Sequence, residues 1–420
     1  MDLPRQSARV GAAPVRAWLT PQRVVLYSAL TLVIYVLFMV IWTWLTLHAS
    51  GPVKWRLGAD YSVFWSASWL TLHGTPAAQI YDFARFSRAS AALFPHATRY
   101  ESFLAWLYPP TYLLMVAPLA LLPFAVSYPL FVAAGTAALG VAVARVSGIA
   151  ALPGVKRFGW LVLLACPGLF VTSMFGQNAM YTASCAALAV YWAERRPAWA
   201  GFCIGLLAIK PQLALLFPFV LIAARAWRTF AWAALFATVF AALGVLACGT
   251  ETLHLFVANT GLVRALTLEH GVVFWLASPT PFAALRLAGL TLAQAYGAQA
   301  AIALIAISAA CVVWARTHDT RLRGAALAVA TLAANPYLWH YELAWLGIPL
   351  ACVTAIGWRD GWLRGEQTLV ACMWALPIYE YLNPWMELPQ IGSVVTLAAL
   401  LALLRRVRAG AGARIDGWRS

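Results

Sequence analysis

The chain has 420 residues, 63% of them hydrophobic and 10% charged, with a mean hydropathy of +0.77. A soluble domain carries about a quarter charged residues, so a water-soluble globular protein, a disordered chain and a disulfide-stapled secreted module are excluded. The net charge of +15, from 29 basic and 14 acidic residues, would point to nucleic acid in a soluble protein; here basic loops on one side of a membrane account for it, and no nucleic-acid partner is expected.

The apolar runs are long and unbroken, unlike the alternating segments of about ten residues in a β-barrel. They predict an all-α polytopic membrane protein forming a single domain over 1–420. The first run, 24–47, lacks a small-residue cleavage site and reads as a retained helix. The loop 48–108 follows. In it Trp65, Trp69 and Leu72, and then Ile80, Phe83 and Phe86, recur at helical spacing, which predicts amphipathic helices lying in the interface. The stretch from Pro109 to Leu122 is too short to span and reads as re-entrant or interfacial. Runs at 124–144, 158–174, 178–193, 197–210, 211–226 and 229–248 come next. The stretch 272–291 is broken by Ser278-Pro279-Thr280-Pro281, carries Arg286, and again reads as interfacial. Runs at 293–315, 323–338, 341–357, 366–380 and 390–405 complete about twelve spans, judged against roughly 17–25 residues per crossing. The Ala-Gly-rich tail after Leu404 is expected to be disordered, with 406–420 cytoplasmic.

An inside N-terminus places 21 of the 29 basic residues in inside segments, as the positive-inside rule requires. The other eight lie outside, matched by eight acids and joined by six of the seven histidines. That mixed face is where chemistry is expected. The seven cysteines lie in or at the ends of apolar runs without a CxxC pair and read as small core residues.

Polar residues at the outer ends of the spans are the candidates. Asp60 reads either as a helix cap or as a general base toward a sugar hydroxyl. Gly176-Gln177-Asn178 reads as a tight turn with Asn178 capping the next helix, or as a hydrogen-bonding contact to a polar substrate. Lys210, in Lys210-Pro211-Gln212, is one of three lysines and sits against the positive-inside trend. It reads as a snorkelling side chain or as a contact to a lipid phosphate. Arg286, and less so Arg264, offer further cations at headgroup level. In the turn from Asn335 to Glu342 an aromatic belt explains Tyr337, Trp339 and Tyr341, but not His340 or Glu342. No histidine pair at i,i+4, HExxH, Walker loop, GxGxxG or GxSxG occurs, so no metal and no cofactor is expected.

Asp60-Tyr61…Trp65…Ala67…Gly74…Tyr81-Asp82 resembles the first outer loop of glycosyltransferase family 87. So do Tyr108-Pro109-Pro110 with Pro118-Leu119-Ala120-Leu121-Leu122-Pro123, then Gly176-Gln177-Asn178, then Ala200-Gly201…Gly205-Leu206…Lys210-Pro211-Gln212, in the family's order. The resemblance implies a GT-C-like bundle of about twelve helices with outer-face interfacial helices. It also implies inverting transfer of mannose or a similar sugar from a polyprenyl-phosphate donor to a lipid or glycan acceptor. The catalytic acid of that family lies in the first outer loop and matches Asp60. The family's late Ser-Pro-His…Tyr-Asp turn stands here as Asn335-Pro336-Tyr337 and Tyr341-Glu342, with His340 displaced. The expected substrate-binding residues are Tyr61, Tyr108, Gln177, Asn178, Lys210, Gln212, Arg264, Arg286, His340 and Glu342. The expected setting is the bacterial inner membrane, in contact with its lipids, with the site facing the periplasm. The alternative is a transporter or flippase, which would place its polar residues near the midplane and often show repeats.

Overall fold

The computed structural model describes residues 17–48, 57–94, 105–152 and 155–416, and among these every regular element is helical. Among the described residues five helical segments are long and apolar enough to cross a membrane: Pro21–Leu45, Phe124–Ser147, Trp227–Cys248, Leu292–Arg316 and His340–Asp360. A sixth results if Arg157–Leu164 and Pro167–Phe175, bent by 56°, count as one span. The twelve expected runs are therefore not twelve straight helices. Ala179–Trp192 has 14 residues, about 21 Å at 1.5 Å per residue, against a hydrocarbon core of roughly 30 Å. The run at 197–210 leaves the α-helix at Leu206 and tightens into a 3₁₀ turn before Pro211. The two stretches read as non-spanning are indeed short helices, Pro110–Val116 in one and Val272–Leu276 with Pro281–Leu287 in the other.

The polar ends of the helices are sorted. Arg145, Arg195, Arg316, Arg321 and Arg359 surround one cavity at one end of the bundle. Gln177, Lys210 and Glu342 belong to the opposite ends of the neighbouring elements and are joined there by hydrogen bonds, and Asn335 at the same end donates to the Gln212 carbonyl. Between the two ends runs Thr320–Ala334, buried continuously from Leu322 to Ala334. Its alanines let the surrounding helices approach closely, as small residues do in membrane bundles.

Ala59–Leu72, Ala77–Ile80 and Phe83–Leu93 occupy the loop expected to carry amphipathic helices. Ala59–Leu72 is buried along most of its length. Ile80 and Phe86, each 1% exposed, join Tyr61, Phe64, Trp106 and Tyr112 in a second apolar core. The two expected faces part here: Trp65 and Trp69 are half-buried and Leu72 is exposed, whereas Ile80 and Phe86 share the core with Trp106 and Tyr112. Phe83–Leu93 keeps an outward polar face, with Arg85 and Arg88 exposed opposite Phe86 and Ser90. The expected disorder after Leu404 also gives way, since one helix runs from Gly392 to Asp416.

Candidate active site

The first-loop helix is seated by two glycines. Gly58, at φ 72°, caps Ala59–Leu72 without a side-chain hydrogen bond, and its N–H donates to the Met174 carbonyl at 2.8 Å. Gly176, at φ 70°, ends Pro167–Phe175; a Cβ there would lie 2.5 Å from the Tyr61 Cβ. This backbone approach, open only to glycine, sets the first helical turn against Gln177. Asp60 is the second residue of the helix rather than its cap.

The Asp60 Oδ2 accepts from the Gln177 Nε2 at 2.7 Å. The Gln177 Oε1 accepts from the Tyr108 hydroxyl at 3.0 Å and from the Lys210 Nζ at 3.5 Å. This amide orientation is the one that pairs every donor with an acceptor. Lys210 stands at the break before Pro211, a position the proline ring keeps out of the α region, and its side chain is turned inward. It forms an ion pair with Glu342, and the rings of Tyr108 and Tyr341 lie 5.5 Å from its ammonium. Lys210 is 6% exposed and Glu342 5%. Charges at that depth persist only when paired. Asp60, Lys210 and Glu342 together carry one net negative charge. Burial pushes the Tyr108 phenol well above its ordinary value, with the Glu342 and Asp60 charges adding to it, so Tyr108 remains a donor.

Five of the expected residues thus meet: Asp60, Tyr108, Gln177, Lys210 and Glu342. Asn178 follows Gln177 and starts Ala179–Trp192, but its side chain does not cap that helix. It is 1% exposed, with both amide atoms buried beside Tyr112. His340, two residues before Glu342, donates its backbone N–H to the Ala277 carbonyl at 3.0 Å and packs its ring 5.0 Å from Phe175. The others are held elsewhere. Tyr61 is a core residue whose hydroxyl pairs with Ser127 at 2.5 Å. The carbonyl of Gln212 accepts from Asn335 at 3.0 Å. Arg264 is mostly exposed and pairs with Glu269 at 3.2 Å. Arg286 donates to the Leu290 carbonyl at 2.5 Å and lies over Trp275. None of these contacts is with the Asp60 cluster. Tyr341, assigned to an aromatic belt, instead faces Lys210. Nothing in its spacing distinguished it from an interfacial tyrosine. Among the described residues no group of three or more histidine, cysteine or acidic side chains is arranged to hold a metal ion.

The family model of glycosyltransferase family 87 matches residues 106–339, more than half of the chain. The chain belongs to glycosyltransferase family 87. The matched segment contains Tyr108, Gln177, Asn178 and Lys210, whereas Asp60 precedes it and Glu342 follows it. No curated protein and no solved structure matches the chain. Family membership makes the chain a membrane glycosyltransferase and sets the transporter reading aside.

Proposed function

We propose that this member of glycosyltransferase family 87 transfers mannose or a similar sugar from a polyprenyl-phosphate donor to a lipid or glycan acceptor. The transfer inverts the anomeric centre and takes place at the periplasmic face of a bacterial inner membrane. The observation carrying this reading is the hydrogen-bonded line from half-buried Asp60 through buried Gln177, Lys210 and Glu342, at the end of the bundle opposite its arginines. The broken and short helices, taken with the spans, would complete a GT-C-like bundle of about twelve crossings. Sorted polar ends support that arrangement.

The chemistry needs a base for the acceptor and a cation for the leaving group. An acceptor hydroxyl attacks the anomeric carbon and gives its proton to Asp60. The bond from that carbon to the phosphate oxygen breaks, and its electron pair leaves on the phosphate. A carboxylate offers about four acceptor positions; Gln177 takes one on Oδ2 and fixes the group's direction. Lys210 has three donors. Gln177 and Glu342 take two, and the third is the one a phosphate oxygen would meet. Fixed donors of this kind stabilise developing charge without reorganisation. Asp82 is a poorer base, because it is exposed and caps Phe83–Leu93 by accepting from the Arg85 N–H at 3.0 Å.

The test is transfer of labelled mannose from a polyprenyl-phosphate donor to a membrane-lipid extract by purified, reconstituted protein. Product that forms only with the lipid-linked donor supports the reading. Transfer from a nucleotide sugar alone would overturn it.

A further inference from the structure

We propose that the arginine-bearing end of the bundle holds a binding site for the phosphate-bearing headgroup of an anionic phospholipid. A cavity of about 1250 Å³ opens there, lined by Arg145, Arg195, Arg316, Arg321, Arg359 and Arg406. Two of these are already neutralised. Arg321 pairs with Asp319 at 2.7 Å and with Asp360 at 3.6 Å. Arg406 donates to Glu366 at 2.6 Å. Arg145, Arg195, Arg316 and Arg359 have no carboxylate partner among the described residues. Arg195 only stacks over Tyr191, at 4.9 Å. The single carboxylate lining the cavity, Asp319, is taken by Arg321.

The positive-inside rule explains arginines in these segments. It does not explain why arginines from four separate helix ends and turns line one concavity without acids to match them. Guanidiniums present planar forks of donors that fit phosphate oxygens, so the site's chemistry is that of a phosphate-bearing anion. Leu152, Leu322 and Val407 add an apolar wall, which suits the glycerol and first methylenes of a lipid better than a free ion. The cavity also lies where the apolar helices end, at headgroup level, where juxtamembrane basic residues meet anionic lipid.

The experiment follows thermal unfolding of the full-length protein in neutral detergent. Short-chain phosphatidylglycerol, short-chain phosphatidylcholine and inorganic pyrophosphate are titrated separately. Phosphatidylglycerol should raise the Tm saturably, phosphatidylcholine should not, and pyrophosphate should need higher concentrations. Saturation by pyrophosphate at or below the lipid concentration would overturn the lipid assignment. Arg316→Gln combined with Arg359→Gln should raise the half-saturating lipid concentration about tenfold or more, as expected on losing charge-assisted hydrogen bonds. Arg145→Gln alone, on another helix, should raise it about threefold. Arg196→Gln combined with Arg228→Gln removes as much charge outside the cavity and should leave it unchanged. Equal weakening in that control, or a wild-type response in both cavity variants, would show diffuse surface charge and no site.

Discussion

Asp60→Asn separates two jobs that one carboxylate can do. The amide keeps an oxygen for the Gln177 donor but cannot take a proton. The variant should therefore fold, insert and bind donor while transferring sugar about 10²–10⁴ times more slowly. Near-wild-type turnover in Asp60→Asn would move the base to Glu342. The Lys210–Glu342 pair makes a different forecast. Lys210→Gln or Glu342→Gln leaves one buried charge without its partner, at about 3–5 kcal/mol. The double variant removes both charges and should recover most of the Tm, but not the turnover. Full recovery of turnover would show that the pair only holds the turn together. At this scale much was legible in the sequence. Asp60, Gln177, Lys210 and Glu342 each stand out as polar residues at the end of an apolar run. Their meeting was not legible, because Asp60 and Gln177 are 117 residues apart, and Lys210 and Glu342 132. No local spacing encodes such contacts.

The helix Ala59–Leu72 depends on Gly176 for its seat. Gly176→Ala forces a Cβ against Tyr61 at a left-handed φ, so it should shift Asp60 from Gln177 and lower kcat/KM at least about tenfold, since misplacement by 1 Å can cost a hundredfold. Gly74→Ala is the control. Its φ is 84° and nothing lies within 4 Å of the added Cβ, so it should cost about 1 kcal/mol of stability with kcat/KM unchanged. Equal loss of activity in both would show that backbone strain, not docking, is being measured. The sequence marked this loop as helical but did not show that Tyr61 and Phe64 would be covered, because they share a core with Trp106 and Tyr112, more than forty residues further on. At the other end, Asp319 caps Thr320–Ala334. Burial pushes its carboxyl up, but the Arg321 hydrogen bonds and charge outweigh this and leave it below its ordinary value. A depressed carboxyl stabilises the fold fully above its unfolded value near 3.8, and that contribution is lost as pH falls through the lower folded value. Between pH 5 and 3 the Tm should fall more steeply for the wild type than for Asp319→Asn. Parallel curves would assign the loss to other carboxyls.

The whole molecule is a bundle with two chemically distinct ends, and that polarity was more legible than the helices that create it. Counting apolar runs treats every run as a straight span. Breaks at Cys166-Pro167 and Lys210-Pro211, and the 14-residue Ala179–Trp192, show why that count exceeds the number of continuous spans. Breaks bring polar side chains such as Lys210 inward, so the irregularity that confuses the count also builds the site. The charges are less sensitive to such breaks, because they mark the ends and not the path between them. The arginine ends gather around one cavity, while Asp60, Gln177, Lys210 and Glu342 meet at the other ends of the same or neighbouring elements. If the basic end is cytoplasmic, Ala78 and Arg195 face opposite compartments. Ala78 lies in the short helix Ala77–Ile80 of the first loop, and Arg195 on the rim of the arginine cavity. In a cysteine-free background, Ala78→Cys should react with a membrane-impermeant thiol reagent in cells with a permeabilised outer membrane, and Arg195→Cys only after the inner membrane is opened. The reverse pattern would invert the bundle and place the Asp60 cluster in the cytoplasm, where nucleotide sugars are the donors at hand.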